Sequence, residues 1–226
     1  MSLVIFFISF AISASADVKY IGIDKKTQGE WEGKYGKDGV IIFSASHVGQ
    51  PPDPAPGGKN DLVREGLIKR YETPDGQRFI WARGNMPHFL STKELDGKHE
   101  KLNACAFNAG QVTVILEVDA VQYQVAAYYG GAENTRVQDI YGYLGDDIPA
   151  KPDVRIEKFG NGGTGVYVIW EVAAKPKETF TILTKQIGPI NAVIGGVFID
   201  AIKEPVRPAG KLSITWGEIK KDENKK

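Results

Sequence analysis

Short apolar segments recur along residues 102–200, and each is cut off by glycine, proline or a polar step within about ten residues. The breaks fall at Asn108-Ala109-Gly110, Gly130-Gly131, 145–152, 160–165, 174–177 and Gly188-Pro189. Turn signals repeating every 8–12 residues or so indicate short strands packed as a sandwich or barrel, not helices. Within 111–119, Val112, Val114, Leu116 and Val118 share one face by period two, while Gln111, Thr113 and Glu117 take the other. The same reading assigns strands to 17–23, 40–43, 67–72, 77–83, 102–107, 122–129, 136–144, 154–159, 166–172, 179–184 and 192–200. Val166-Tyr167-Val168-Ile169-Trp170 is apolar on both faces, as a central strand covered on each side must be. No helix of ordinary length is expected.

Thr73-Pro74-Asp75-Gly76 reads as a β-turn, because proline presets φ and glycine accepts the strained position. A hairpin of 67–72 with 77–83 is expected around it. Prolines 51, 52, 54 and 56 keep 49–60 out of any sheet ladder and make it a surface loop. The fold expected is all-β, a jelly-roll-like antiparallel β-sandwich spanning residues 17–203. After it comes 204–226, with Pro205 and Pro208 as a linker, 211–216 as a last strand or docking segment, and a charged tail at 220–226.

Ahead of the strand array lies 27–43, where Gly29, Gly33, Gly36 and Gly39 interleave with Trp31 and Tyr35. Four glycines exclude a helix, at roughly 1 kcal/mol each relative to alanine. A tight folded-back loop feeding a buried strand at 40–43 is expected. The pattern Asp24-x-x-Thr27-x-Gly29-x-Trp31-x-Gly33-x-Tyr35-Gly36-x-x-Gly39 resembles the opening of secreted bacterial modules of the galactose-binding-like, carbohydrate-binding type. A second match is Asn191-Ala192-Val193-Ile194-Gly195-Gly196-Val197-Phe198-Ile199-Asp200, which is similar to the closing strand of that sandwich. The resemblance implies a jelly roll whose first and last strands are neighbours. It also implies a glycan ligand, and a structural calcium held near Asp24 and Asp200. Turn capping is the alternative role for those two aspartates.

Lys plus Arg and Asp plus Glu both number 28, so no net field favours nucleic acid. Residues 1–16 are apolar and end in Ala14-Ser15-Ala16, the small-x-small pattern of a secretory signal, although no basic residue opens them. Cleavage before Asp17 and a secreted, periplasmic or cell-envelope location are expected, with no membrane span in the mature chain. The single cysteine, Cys105, excludes an internal disulfide and reads as a buried thiol.

Catalytic constellations are missing. His47, His88 and His99 are too scattered for a metal spacing, and there is no Gly-x-Ser-x-Gly elbow. Gly160-Asn161-Gly162-Gly163-Thr164-Gly165 leads into a strand, so it reads as a hairpin loop and not as a phosphate cradle, which needs a helix N-terminus. Glycoside hydrolysis needs only two suitably placed carboxylates, and remains the enzymatic alternative.

Sugar recognition calls for flat aromatic rings beside planar hydrogen-bonding groups. Trp31, Tyr35, Trp81, Tyr128, Tyr129, Asn134 and Arg136 are the candidate ligand-binding residues, with Asp139 nearby. Each aromatic has core packing as its competing role. Neighbouring tyrosines on a strand point to opposite faces, so one of Tyr128 and Tyr129 is expected outward, the one beside Gly130-Gly131 leading. Arg136 resembles an arginine recurrent in the family and fixes either a sheet or a ligand. The function expected is an exported, non-catalytic module binding an extracellular or cell-envelope glycan. The rival is a structural or protein-interaction sandwich with Trp31, Tyr35 and Trp81 all buried.

Overall fold

The computed structural model describes residues 16–43, 61–96, 101–160 and 164–202. Residues 1–15 of the expected secretory signal, the proline loop 49–60, His47, His99, the tip of the 160–165 loop and everything from 203 onward lie outside the described residues.

All but one of the elements are strands: β1 (Asp17–Asp24), β2 (Gly39–Ile42), β3 (Leu62–Arg64), β4 (Ile68–Glu72), β5 (Gln77–Gly84), β6 (Leu90–Ser91), β7 (Lys101–Asn108) and β8 (Gln111–Val118). Beyond them come β9 (Gln122–Tyr129), β10 (Val137–Leu144), β11 (Val154–Glu157), β12 (Val166–Ala173), β13 (Thr179–Gln186), β14 (Ala192–Ile194) and β15 (Gly196–Ala201). The exception is the single helical turn α1 (Lys93–Asp96). A six-stranded sheet runs β1-β12-β9-β15-β2-β3, a five-stranded sheet β11-β10-β13-β8-β4, and a smaller one β14-β7-β5 with β6 beside β7. Pairing between strands is antiparallel throughout. The chain crosses between the two large sheets at β3–β4, β8–β9, β9–β10, β11–β12 and β12–β13. That alternation makes the molecule an all-β, jelly-roll-like antiparallel sandwich.

Two cores result, one on each face of the six-stranded sheet. Between the large sheets lie Val112, Val114, Leu116, Val125, Ala127, Tyr129, Val168, Trp170, Phe180 and Ile182. On the opposite face Trp31, Tyr35, Val40, Ala126, Tyr128, Tyr167 and Phe198 form the second. Strands β9 and β12 therefore alternate between two dry interiors, as the apolar run 166–170 required. The glycine-aromatic loop closes the second core. The Trp31 ring lies 5.1 Å from Phe198, and its indole N–H donates to the Ser91 carbonyl at 2.8 Å. Gly29 is obligatory there, because a Cβ would sit 1.7 Å from the Phe89 carbonyl oxygen. Gly36 has φ +71° and would drive a Cβ to 2.6 Å from Val40 Cγ2. The early loop and the late Phe198-containing strand thus belong to one body.

Three expectations are corrected. The turn at Thr73–Gly76 forms, with Gly76 N–H donating to Thr73 O at 3.1 Å, but no hairpin follows. Strand β4 pairs with β8 and β5 with β7, in different sheets. Arg78 forces the divergence: its buried guanidinium donates to the Gly76 carbonyl, Thr73 Oγ1 and both Asp61 oxygens, anchoring the corner instead of a ladder. Residues 192–200 are two strands, not one, since at Gly195 the chain leaves β7 and passes to β2 and β9. The first and last described strands share a sheet but are not neighbours, because β12 and β9 stand between β1 and β15.

Candidate functional site

Strand β5 presents Phe79 and Trp81 on one face, two residues apart. A register shift between Ile80 and Ala82 makes Trp81 the bulged residue, and the ring stays only half-buried. Phe79 contacts Trp81 edge-on at 5.8 Å and Phe107 of β7 at 6.0 Å, so three rings form a row across the small sheet. The 187–191 connection contributes Pro189, Ile190 and Asn191 to the lining, and the β9–β10 connection contributes Glu133 and Arg136. Together they enclose a cleft of about 540 Å³.

Arg136 organises the polar rim. It is 2% exposed, and its guanidinium lies 5.4 Å from the Trp81 ring centre. One terminal nitrogen donates to both the backbone carbonyl and the side-chain oxygen of Asn191, and the other donates to Glu133 at 2.7 Å. Glu133 keeps 41% of its side chain exposed, so a carboxylate already held by arginine remains open to a ligand hydroxyl. Behind Arg136 a second, polar cleft of about 510 Å³ is lined by Asn134, Thr135, Val137, Glu157 and Lys158. The arrangement offers an apolar aromatic floor with hydrogen-bonding groups at its edge. Among the described residues lining the aromatic cleft, Glu133 is the sole carboxylate.

Of the ligand-binding candidates named from sequence, Trp81 and Arg136 line the aromatic cleft, and Asn134 lies exposed in the neighbouring polar cleft. The other candidates lie elsewhere. Tyr128 and Tyr129 do point to opposite faces, but both faces are covered. Tyr128 is 2% and Tyr129 0% exposed, one in each core, so neither is the outward ring expected. Burial pushes both phenols well above their ordinary range. Their hydroxyls bond internally, Tyr128 to the His88 carbonyl and Tyr129 with Thr184 Oγ1 at 3.2 Å. Trp31 and Tyr35 are likewise core residues, at 0% and 5% exposure.

Asp24 and Asp200 are capping groups. Asp24 accepts from the Lys26 and Thr27 amides, the Thr27 and Tyr35 hydroxyls and Lys34 Nζ. Burial pushes its carboxyl upward, yet the Lys34, Thr27, Lys26 and Tyr35 hydrogen bonds outweigh that and hold it well below the usual range. Asp200 accepts from the Gly36 and Lys37 amides at 2.9 and 2.8 Å. Both carboxylates thus face donors, where a calcium ion would need their lone pairs. Among the described residues no group of three or more His, Cys, Asp or Glu is placed to hold a metal. Asp139 is committed to Arg155 at 2.6 and 2.9 Å. Burial raises the Cys105 thiol, with Arg136 and Arg78 opposing, so it stays protonated and inert.

Phe79, Phe107, Glu133 and Asn191 were missed. Phe79 was recoverable, because it lies two residues before Trp81 on the same strand. Phe107 and Asn191 arrive only through the β5–β7–β14 pairing, which no local pattern signals. No helix among the described residues is long and apolar enough to cross a membrane. No family model matches the chain, nor does any curated protein or solved structure.

Proposed function

We propose that the protein is an exported, non-catalytic carbohydrate-binding module of the galactose-binding-like kind, acting on an extracellular or cell-envelope glycan. The observation that carries this reading is the half-buried Trp81, set among Phe79 and Phe107 with the Arg136–Glu133 pair at its rim. A pyranose ring brings its apolar face to the aromatic row and its hydroxyls to Glu133 and Asn191. The structural-spacer alternative required Trp31, Tyr35 and Trp81 all to be buried, and Trp81 is not. The single, ion-paired carboxylate of the cleft supports binding over hydrolysis, which uses two.

Affinity electrophoresis of the chain from Asp17 against a panel of polysaccharides tests this. Retardation on at least one polymer is expected, with Trp81→Ala weakening it roughly tenfold, or about 1.4 kcal/mol. Tyr129→Ala is expected to destabilise the inter-sheet core, where Tyr129 is fully buried, and does not probe the cleft. No retardation on any polymer, or full retention by a folded Trp81→Ala variant, overturns the proposal.

A further inference from the structure

We propose that residues 211–216 dock in cis as an added strand on the open edge of β1, carried there along a groove that begins at Ile202. Strand β1 ends the six-stranded sheet. Strand β12 takes one of its edges, and no described strand takes the other. The inner face of β1 is incompletely covered. Val18 and Tyr20 are only partly buried against the inter-sheet core. After the register shift between Tyr20 and Gly22, Ile23 stands opposite Val168 of that core yet remains 43% exposed, and Ile21 is 44% exposed. An open backbone edge flanked by exposed isoleucines is a site that native proteins cover.

The sequence supplies a matching strand. Leu212, Ile214 and Trp216 alternate with Ser213 and Thr215, a period-two pattern with one face needing burial. Aligned beside β1, that face continues the inner apolar layer over Tyr20 and Ile23. The path is laid out as well. Ile202 N–H donates to the Gln122 carbonyl at 3.2 Å. From there a groove runs over Glu171, Val172 and Ala173 of β12 to Asp17 and Lys19 of β1. The connecting stretch carries Lys203 and Arg207, complementary in charge to Asp17 and Glu171 of the groove, where Glu171 lies 3.5 Å from Lys19. The new position lies four strand spacings from β15, about 19 Å at ~4.8 Å each. The connecting stretch 203–210 reaches about 26 Å at ~3.3 Å per residue, so the distance is spanned. Because each neighbour from β15 through β9 and β12 to β1 is antiparallel, the chain emerges at the end where β1 begins. The docked segment therefore runs parallel to β1.

Hydrogen exchange read by mass spectrometry on the full chain, on a chain ending at Ile202 and on full-length Ile214→Asp tests the proposal. The expected result is that residues 17–24 exchange about tenfold more slowly in the full chain than in either variant. Residues 211–216 are themselves protected, and neither effect changes with protein concentration. Equal exchange of residues 17–24 in all three proteins overturns the proposal. Protection that appears only at high concentration, together with a dimer in size-exclusion chromatography, also overturns it and assigns the edge to a second copy.

Discussion

Replacing Asp61 by asparagine isolates the most demanding electrostatic arrangement of the fold. The Asp61 and Arg78 side chains are both 0% exposed, with Nε–Oδ1 and Nη2–Oδ2 distances of 2.8 Å. The guanidinium also lies 4.9 Å from the Phe43 ring centre and donates to Thr73 Oγ1 and Gly76 O. Asparagine keeps the shape but removes the charge and turns an amide donor toward a cation. Leaving one buried partner uncompensated costs about 3–5 kcal/mol. For a domain of this size 1 kcal/mol moves Tm by about 2–4 °C, so a loss of roughly 6–20 °C is expected. Differential scanning calorimetry measures it directly. A companion Asp61→Leu/Arg78→Met variant should recover most of the loss, because an apolar pair of similar volume needs no desolvation of charge. A drop below about 1 kcal/mol in Asp61→Asn would place the guanidinium in water and refute its role as anchor of the sheet-to-sheet corner.

Gly29→Ala should remove the loop's two close backbone bonds, Gly29 N–H to Pro87 O at 2.8 Å and Ser91 N–H to Gly29 O at 3.0 Å. The expected cost is about 2 kcal/mol, read as a lower urea midpoint; an unchanged midpoint would show that the Phe89 carbonyl yields without cost. His88 is 4% exposed with Nε2 unpartnered, and burial lowers its pKa. Its folded pKa thus lies below the unfolded value of about 6.5, so the contribution is fully present above that pH and lost as pH falls through the folded pKa. Tm measured from pH 8 down to pH 5 should fall more steeply for the wild type than for His88→Gln, and parallel curves would refute the assignment. At the cleft, a folded Trp81→Ala variant should show the roughly tenfold weaker polysaccharide retardation while keeping the Tm of the parent within a few degrees, as half-buried rings contribute less to the core.

Much of the fold was legible because its signals are local. The period-two face of Val112, Val114, Leu116 and Val118 appears as written, buried at alternate positions of β8. The doubly apolar run 166–170 is the central strand β12, and the turn at Thr73–Gly76 is where the proline and glycine put it. Partner choice was not legible. Whether β5 returns to β4 or departs to β7 depends on Arg78 finding Asp61 and Thr73, a contact made only after the chain has turned. The candidate site divides the same way. Trp81 and Arg136 were identifiable from residue type beside loops, whereas Tyr128 and Tyr129 misled because a strand's alternation says nothing about whether its second face is covered.

By itself, the order of residues determined that this chain makes short strands separated by glycine and proline turns, with Cys105 left without a disulfide partner and charges in balance. Those properties follow from steric and periodic constraints that act within a few residues. Tertiary structure decided that the glycine-aromatic loop is a lid over a second core and that Asp24 and Asp200 cap turns. It also decided that Trp81 is only partly buried while the paired tyrosines are fully covered. Each of these depends on which distant surfaces exclude water from one another, and burial is a property of the assembled sheets, not of any one strand.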